Sequence, residues 1–380
     1  MEVTPSTASQ SLEAVKPLEV ARPPVFIVGP SRSGTTLLAR MLDAHSALAI
    51  FPETWMYVVL DGLGCLDRFS SRWQYILFMN QVWGNLKDHG DAAAAVAAEA
   101  MRRPQYVGPT RPVLEGIGQA YASARRAKIW GEKTPGHVLW LPEIHSLFPE
   151  AKLLFCVRDP RDVLVSYCER WNHGRFDSGY VMEAASMVRH YLNHMLQRPG
   201  FPSDQILWVR YESLTKEPSE VMQQVCRFLG IDFEPDMLNF YRQQQDAQRA
   251  RPDTSHHTLL SRPITTERVG RFRQLFSPST LSIVEAFLKE EMEALGYAPE
   301  GDSACILAPQ DRRAQAAGVR VYQDMISGKF RRRSRRGARI RLWLLRAMRT
   351  VLAATPFTNL AVTAEEWQRR TQAVSPGDAP

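Results

Sequence analysis

The stretch from Val25 to Leu42 limits what this chain can fold into more than any other. Four apolar residues, Val25-Phe26-Ile27-Val28, run into Gly29-Pro30-Ser31-Arg32-Ser33-Gly34-Thr35-Thr36, and Leu37 to Leu42 follow with helical spacing. Strand, tight glycine loop and helix in that order turn free backbone N–H groups and a helix N-terminus toward one concavity. An anion, most simply a phosphate, is expected over Ser33, Gly34, Thr35 and Thr36. The Gly29-to-Gly34 interval copies a nucleoside-triphosphate loop, yet Thr35 stands where such a loop has its lysine. A positive charge returns inside the loop as Arg32.

A second segment repeats the pattern. Lys152 to Val157 reads as a buried strand, Arg158-Asp159 as its turn, and Pro160 onward as a helix, with Asp159 at the N-cap and proline at the first helical position. Arg158 then lies at the carboxyl end of its strand, the edge at which open α/β sheets bind ligands. A metal-binding NTPase would place a carboxylate there; the arginine favours a phosphate. Ser166 and Arg170, four apart on one helix face, are expected to grip a second phosphate together with Arg158, the alternative being an ordinary exposed face with ion pairs between Asp162 and Arg158 or Arg161. A third strand is expected over Gln205 to Val209, and helices over Asp91 to Met101 and Ser279 to Leu295. Strands alternating with helices predict the α/β class: a P-loop-like parallel sheet with helices on both faces, in a single main domain over residues 25–300.

With 44% hydrophobic and 23% charged residues among 380, the chain is not disordered by default. Its net charge of +7 is unevenly placed. Lys329 to Arg349 holds ten basic residues and no acid, interleaved in its second half with Ile340, Leu342, Trp343, Leu344, Leu345 and Met348, so the rest of the chain carries a net −3. The extension 301–380 therefore suits a basic amphipathic helix on an anionic membrane surface, or a solvated tail helix. No helix-turn-helix, finger or RNP pattern accompanies it, so no nucleic-acid partner is expected. Residues 1–24 read as a disordered leader without an apolar run of signal-peptide length. The five cysteines form no C-x-x-C pair, which points to a reducing, cytoplasmic setting, peripheral to a membrane at most, and to neither a metal site nor a disulfide framework.

Taken together, the two loops resemble those of the sulfotransferases that use 3′-phosphoadenosine 5′-phosphosulfate (PAPS). Pro30 to Leu38 is similar to that family's 5′-phosphosulfate loop and Arg158 to Arg170 to its 3′-phosphate element, closest to the branch of tyrosylprotein sulfotransferases and related bacterial enzymes. The likeness covers residues 25–300. In that branch a helix ends Asp-Ala-His and a Glu-Thr pair follows; here Asp43-Ala44-His45 precedes Glu53-Thr54, with Glu53 eight residues after His45. The resemblance implies that Glu53 is the catalytic base. It likewise implies that Lys133, in Glu132-Lys133-Thr134-Pro135, assists the leaving group, that Tyr211 lies beside the nucleotide, and that Arg271, eight residues after Pro263, binds phosphate. Three positions depart from the pattern. Pro135 occupies the place of the catalytic histidine of small-molecule sulfotransferases, His256 with Ser255 adjacent replaces a cofactor-side serine, and Trp55 replaces an arginine used toward a peptide acceptor.

The expected activity is sulfuryl transfer from PAPS to an acceptor hydroxyl, in line and without a metal. Arg32, Lys133 and the loop amides would neutralise charge on the departing 5′-phosphate while Glu53 takes the acceptor proton, His45 and His137 being the competing bases. The acceptor is a peptide tyrosine, a carbohydrate, a lipid or a phenolic metabolite. The rival readings are a P-loop kinase-like phosphotransferase and a basic-tailed phosphate-binding module. Trp55-Met56-Tyr57 and the aromatic run Trp73 to Trp83 either wall an apolar acceptor pocket or form helical core along Trp73, Ile76, Leu77 and Asn80.

Overall fold

A computed structural model describes residues 22–198, 200–242 and 261–302. All but the innermost residues of the leader 1–24 and of the extension 301–380 lie outside that range, as do the basic segment 329–349, His256 and Cys305. Among the described residues no helix is long and apolar enough to cross a membrane.

Five strands form one parallel sheet: β1 (Val25–Val28), β2 (Leu48–Phe51), β5 (Ile129–Lys133), β6 (Lys152–Val157) and β7 (Ile206–Arg210), in the order β2-β5-β1-β6-β7. A short antiparallel pair, β3 (Arg68–Phe69) and β4 (Gly108–Pro109), stands apart. Strand β1 is buried along its whole length, as a central parallel strand covered on both faces must be. Its residues alternate between two cores. Phe26 and Val28 join Phe51, Trp130, Leu153 and Phe155 on one side, while Val25 and Ile27 join Ile50, Ile129, Leu154 and Cys156 on the other. The second core is closed by α1 (Thr35–Asp43), through Leu38, Met41 and Leu42, and by α10 (Pro218–Leu229), through Met222, Val225 and Cys226.

The first core is closed by the helices α2 (Met56–Leu63), α3 (Arg72–Leu86), α4 (Gly90–Arg102), α5 (Arg111–Ala124), α6 (Leu141–Leu147), α7 (Pro160–Trp171) and α8 (Ser178–Gln197). The expected architecture, with helices on both faces of a parallel sheet, is the one observed. Local readings shift. The third strand begins at Ile206, one residue later than expected. The helical stretch near the end bends at Leu288 (φ −99°, ψ 17°) into Pro278–Phe287 and Lys289–Ala294. On α3 the buried stripe is Tyr75, Phe78, Met79, Val82 and Leu86. Trp73 is 37% exposed, so the apolar stripe expected through Trp73 is rotated: the aromatic rings at 75 and 78 pack on Phe69, at 5.5 and 5.4 Å between centroids, and set the register.

Two parallel neighbours fix where β1 ends. Ile27 pairs with Lys133 on one side and with Leu154 on the other, and Val28 pairs with Phe155. Gly29 then turns at φ +148°, with its N–H donating to the Pro135 carbonyl at 3.3 Å. A Cβ there would fall onto the Cys156 carbonyl oxygen of β6, so the turn needs glycine for space as well as for its dihedral. Gly29→Ala is expected to cost about 2–4 kcal/mol in urea unfolding, since neither strand can give way; wild-type stability would mean that the loop does not lie this close to β6.

Candidate active site

Every strand of the sheet ends on one edge, and the chemistry-bearing residues gather there. Gly34, at φ 101°, caps α1 without a side-chain hydrogen bond, which leaves the first-turn N–H groups at Thr35 and Thr36 open for an anion. A Cβ on Gly34 would approach Tyr211 Cδ2 to 2.5 Å, so the loop is packed directly on Tyr211, the first residue of α9 (Tyr211–Lys216) after β7. The Arg158 guanidinium lies over the same ring, 4.5 Å from its centroid.

Strand β5 delivers Lys133 to the loop from the other side. Its side chain is 7% exposed, and its Nζ donates to Glu53 Oε1 at 2.8 Å and to Thr36 Oγ1 at 3.3 Å. Glu53, Lys133 and Thr36, drawn from three separate stretches of sequence, thus meet at one ammonium group. Glu53 reaches it because β2 pairs in parallel with β5, Phe51 opposite Glu132.

Cations line the loop's far wall. Arg158, 6% exposed, donates through Nη1 to the Arg32 carbonyl at 3.2 Å and through Nη2 to the Arg268 carbonyl, and Asp162 lies 3.7 Å behind it. Asp162 also accepts from the N–H groups of Gly270, at 2.6 Å, and Phe272, at 3.1 Å, so the loop carrying Arg271 is fixed to α7. Arg32, left-handed at φ 70°, donates Nε–H to Ser166 Oγ at 2.9 Å. Although Arg32 stands exposed at the loop tip, desolvation by the cleft and then repulsion from Arg158, Arg170 and Arg268 hold its pKa below the ordinary arginine value. Two buried polar atoms here have no partner among the described residues: Ser33 Oγ and Arg158 Nε. Both are groups that an anion would satisfy.

Some expected residues stand elsewhere than the sequence implies. The Ser166 hydroxyl accepts from Arg32 Nε, which ties α7 to the loop. Arg170 is exposed and acts on the loop through its field. The Arg271 guanidinium is bound to Glu169 at 2.7 Å, and Arg268 shares that carboxylate at 3.0 Å. Burial works against ionising Glu169, but the Arg271 bond and the two cations prevail and hold its pKa low. Of the competing bases, His45 is tied up on both ring nitrogens: the Ala47 N–H donates to Nδ1 at 2.9 Å and Nε2 donates to the Asp232 carbonyl at 2.7 Å. His137 is 0% exposed with Nδ1 on Glu132 Oε2 at 2.8 Å, so its ring is closed to an acceptor from outside. The sequence reading missed Arg268 and the buried carboxylate Glu132; it named Asp162 only as an ion-pair partner of Arg158, a contact present at 3.7 Å. The one available signal was Glu132 itself, a charge placed inside an otherwise strand-like run.

The comparisons with known proteins agree with this geometry. A family model described as "Sulfotransferase family" matches residues 23–235. Nodulation protein NoeE of Sinorhizobium fredii is 26% identical over 228 residues, covering 54% of this chain and 50% of NoeE. Protein-tyrosine sulfotransferase 1 of Danio rerio is 28% identical over 224 residues, covering 57% of this chain and 56% of that protein. The chain thus spans about half the length of these curated relatives. Among solved structures, the sulfotransferase domain of the Synechococcus PCC 7002 olefin synthase shares the fold at a TM-score of 0.55 and 22% identity, covering 73% of this chain and 95% of the domain. The sulfotransferase domain of the curacin biosynthetic pathway does so at 0.54 and 20%, covering 73% and 98%. Since the family match takes in more than half of its residues, the chain belongs to the sulfotransferase family.

Proposed function

We propose that the protein transfers the sulfuryl group of PAPS to the hydroxyl of an acceptor, with Glu53 as the base and Lys133 as the cation at the leaving group. The observation that carries this reading is the position of Lys133, whose ammonium joins the carboxylate of Glu53 to the hydroxyl of Thr36 in the anion loop. Base and phosphate loop are thereby held one side chain apart, the separation an in-line transfer needs.

The residues present fit the co-substrate. Ser33 Oγ and Arg158 Nε, buried and unpartnered among the described residues, offer polar contacts to phosphate oxygens. Arg158 and Arg170 both repel Arg32, a repulsion that a bound polyanion relieves. Tyr211, Ser166 and Arg271 complete the proposed nucleotide side, with Arg271 turning from Glu169 to the ligand. PAPS, when bound, supplies a sulfur centre carrying a phosphate leaving group. Glu53 accepts the proton of the acceptor hydroxyl as the new O–S bond forms. Lys133, Thr36 and the loop amides meet the charge that collects on the 5′-phosphate as the old S–O bond breaks, leaving 3′-phosphoadenosine 5′-phosphate (PAP). Trp55 stands where the tyrosylprotein branch has its peptide-directed arginine, so we assign the acceptor only as hydroxyl-bearing.

Radiolabelled sulfate from PAPS is expected on an acceptor drawn from a panel of phenols, glycans and tyrosine peptides, with EDTA present. Metal-dependent ATP turnover without such transfer would overturn the reading. Glu53→Gln is expected to lower kcat about 100-fold or more while PAP affinity, measured by titration calorimetry, stays within about twofold. Arg158→Ala is expected to weaken PAP binding about 10- to 100-fold, the value of a charge-assisted bond in a partly dry site. Equal PAP affinity in wild type and Arg158→Ala would remove Arg158 from the nucleotide site.

A further inference from the structure

The residues flanking Glu53 and Lys133 converge on one buried carboxylate. Glu132, the penultimate residue of β5, is 0% exposed. Its Oε1 accepts from Thr54 Oγ1 at 2.8 Å, from the Thr54 N–H at 3.3 Å and from the Thr134 hydroxyl. Thr134 Oγ1 in turn accepts from the N–H groups of Thr54, at 3.1 Å, and Trp55, at 3.4 Å. The second oxygen, Oε2, lies 2.8 Å from Nδ1 of His137, itself wholly buried and edge-on to Tyr57 at 5.0 Å between centroids. His137 Nε2 has no partner among the described residues, so the polar engagement of the ring is with Glu132. Burial works against the carboxylate, yet His137 and the two threonines together hold its pKa below the usual range.

A buried polar pair of this kind gives little net stability over an apolar pair of the same shape. Its placement here is specific. Thr54 follows Glu53, Thr134 follows Lys133, and every hydrogen bond to Oε1 ends on one of those two threonines. Trp55, left-handed at φ 56°, is strained for so bulky a residue and is held in part by the same Thr134 oxygen. The geometry points to Glu132 as a positioning residue, held in place by His137, that fixes Glu53 against Lys133 through Thr54 and Thr134. This inference rests on the reading of Glu53 as the base.

The test is a mutant cycle on the full chain, using radiolabelled PAPS and 4-nitrophenol as the probe acceptor, PAP titration calorimetry and a crystal structure of the key variant. Glu132→Gln and Thr134→Val are each expected to lower kcat roughly tenfold to 100-fold, the cost of a small misplacement of reacting groups, with PAP affinity within about twofold. Thr134→Ser, which keeps the hydroxyl, is expected to stay within about threefold of wild type. In the Glu53→Gln background, adding Thr134→Val is expected to cost less than about twofold more, because the group being positioned is already gone. The Thr134→Val structure is expected to show Glu53 moved away from Lys133. An unchanged kcat, a full multiplicative loss in the Glu53→Gln background, or an undisturbed Glu53–Lys133 contact overturns the inference and leaves the base assignment standing. Full turnover by Glu53→Gln alone overturns the base assignment and this inference with it. Should Glu132→Gln fail to fold, Thr134→Val and Thr134→Ser carry the test, since both keep the Glu132 carboxylate on His137.

Discussion

Parallel pairing of β1 with both β5 and β6 is the constraint on which the site depends. The registers Ile27↔Lys133 and Val28↔Phe155 bring the ends of three strands to the same edge of the sheet, so the glycine loop leaves β1 with Lys133 on one flank and Arg158 on the other. A slip of one residue would exchange the two faces of β1, sending Phe26 and Val28 into the core of α1 and Val25 and Ile27 into the larger one. Burial of both faces makes such a slip costly. The edge that carries the candidate site inherits its precision from hydrophobic sorting several residues below it.

The glycine loop between β1 and α1 and the β6–α7 turn were legible in the sequence because each is local. A strand, a turn with glycine or a proline-started helix, and an apolar stripe all fall within some twenty residues, and short-range sterics set them. Strand β5 was not legible in this way. Ile129-Trp130-Gly131-Glu132-Lys133 is buried at all five positions, yet it ends in two charges and contains a glycine, which hides the apolar run. Glu53 and Lys133 were reached only through the family resemblance. The Glu132 network was beyond local reading because, although Thr134 and His137 are near in sequence, Thr54 lies 78 residues away in the chain. The sequence likewise gives no sign that Arg271 rests on Glu169, a contact made across the turn that Asp162 pins to α7.

The cations around the loop are not equivalent, and the difference follows from where the acids stand. Arg158 has Asp162 behind it, and Arg268 and Arg271 share Glu169. Each of these guanidiniums is partly neutralised by a carboxylate on α7, which lets several of them crowd one wall without an intolerable self-energy. Arg32 is placed differently. Its hydrogen bond goes to the neutral Ser166, and its pKa is depressed by desolvation and by the neighbouring arginines. An anion arriving over Ser33 to Thr36 therefore meets in Arg32 a cation with no carboxylate partner among the described residues, and in Arg158, Arg268 and Arg271 cations that already have one. In the proposed reaction this places the unpaired cation on the phosphosulfate side, beside the bond that breaks, while the acid-backed Arg158 and Arg271 face the nucleotide.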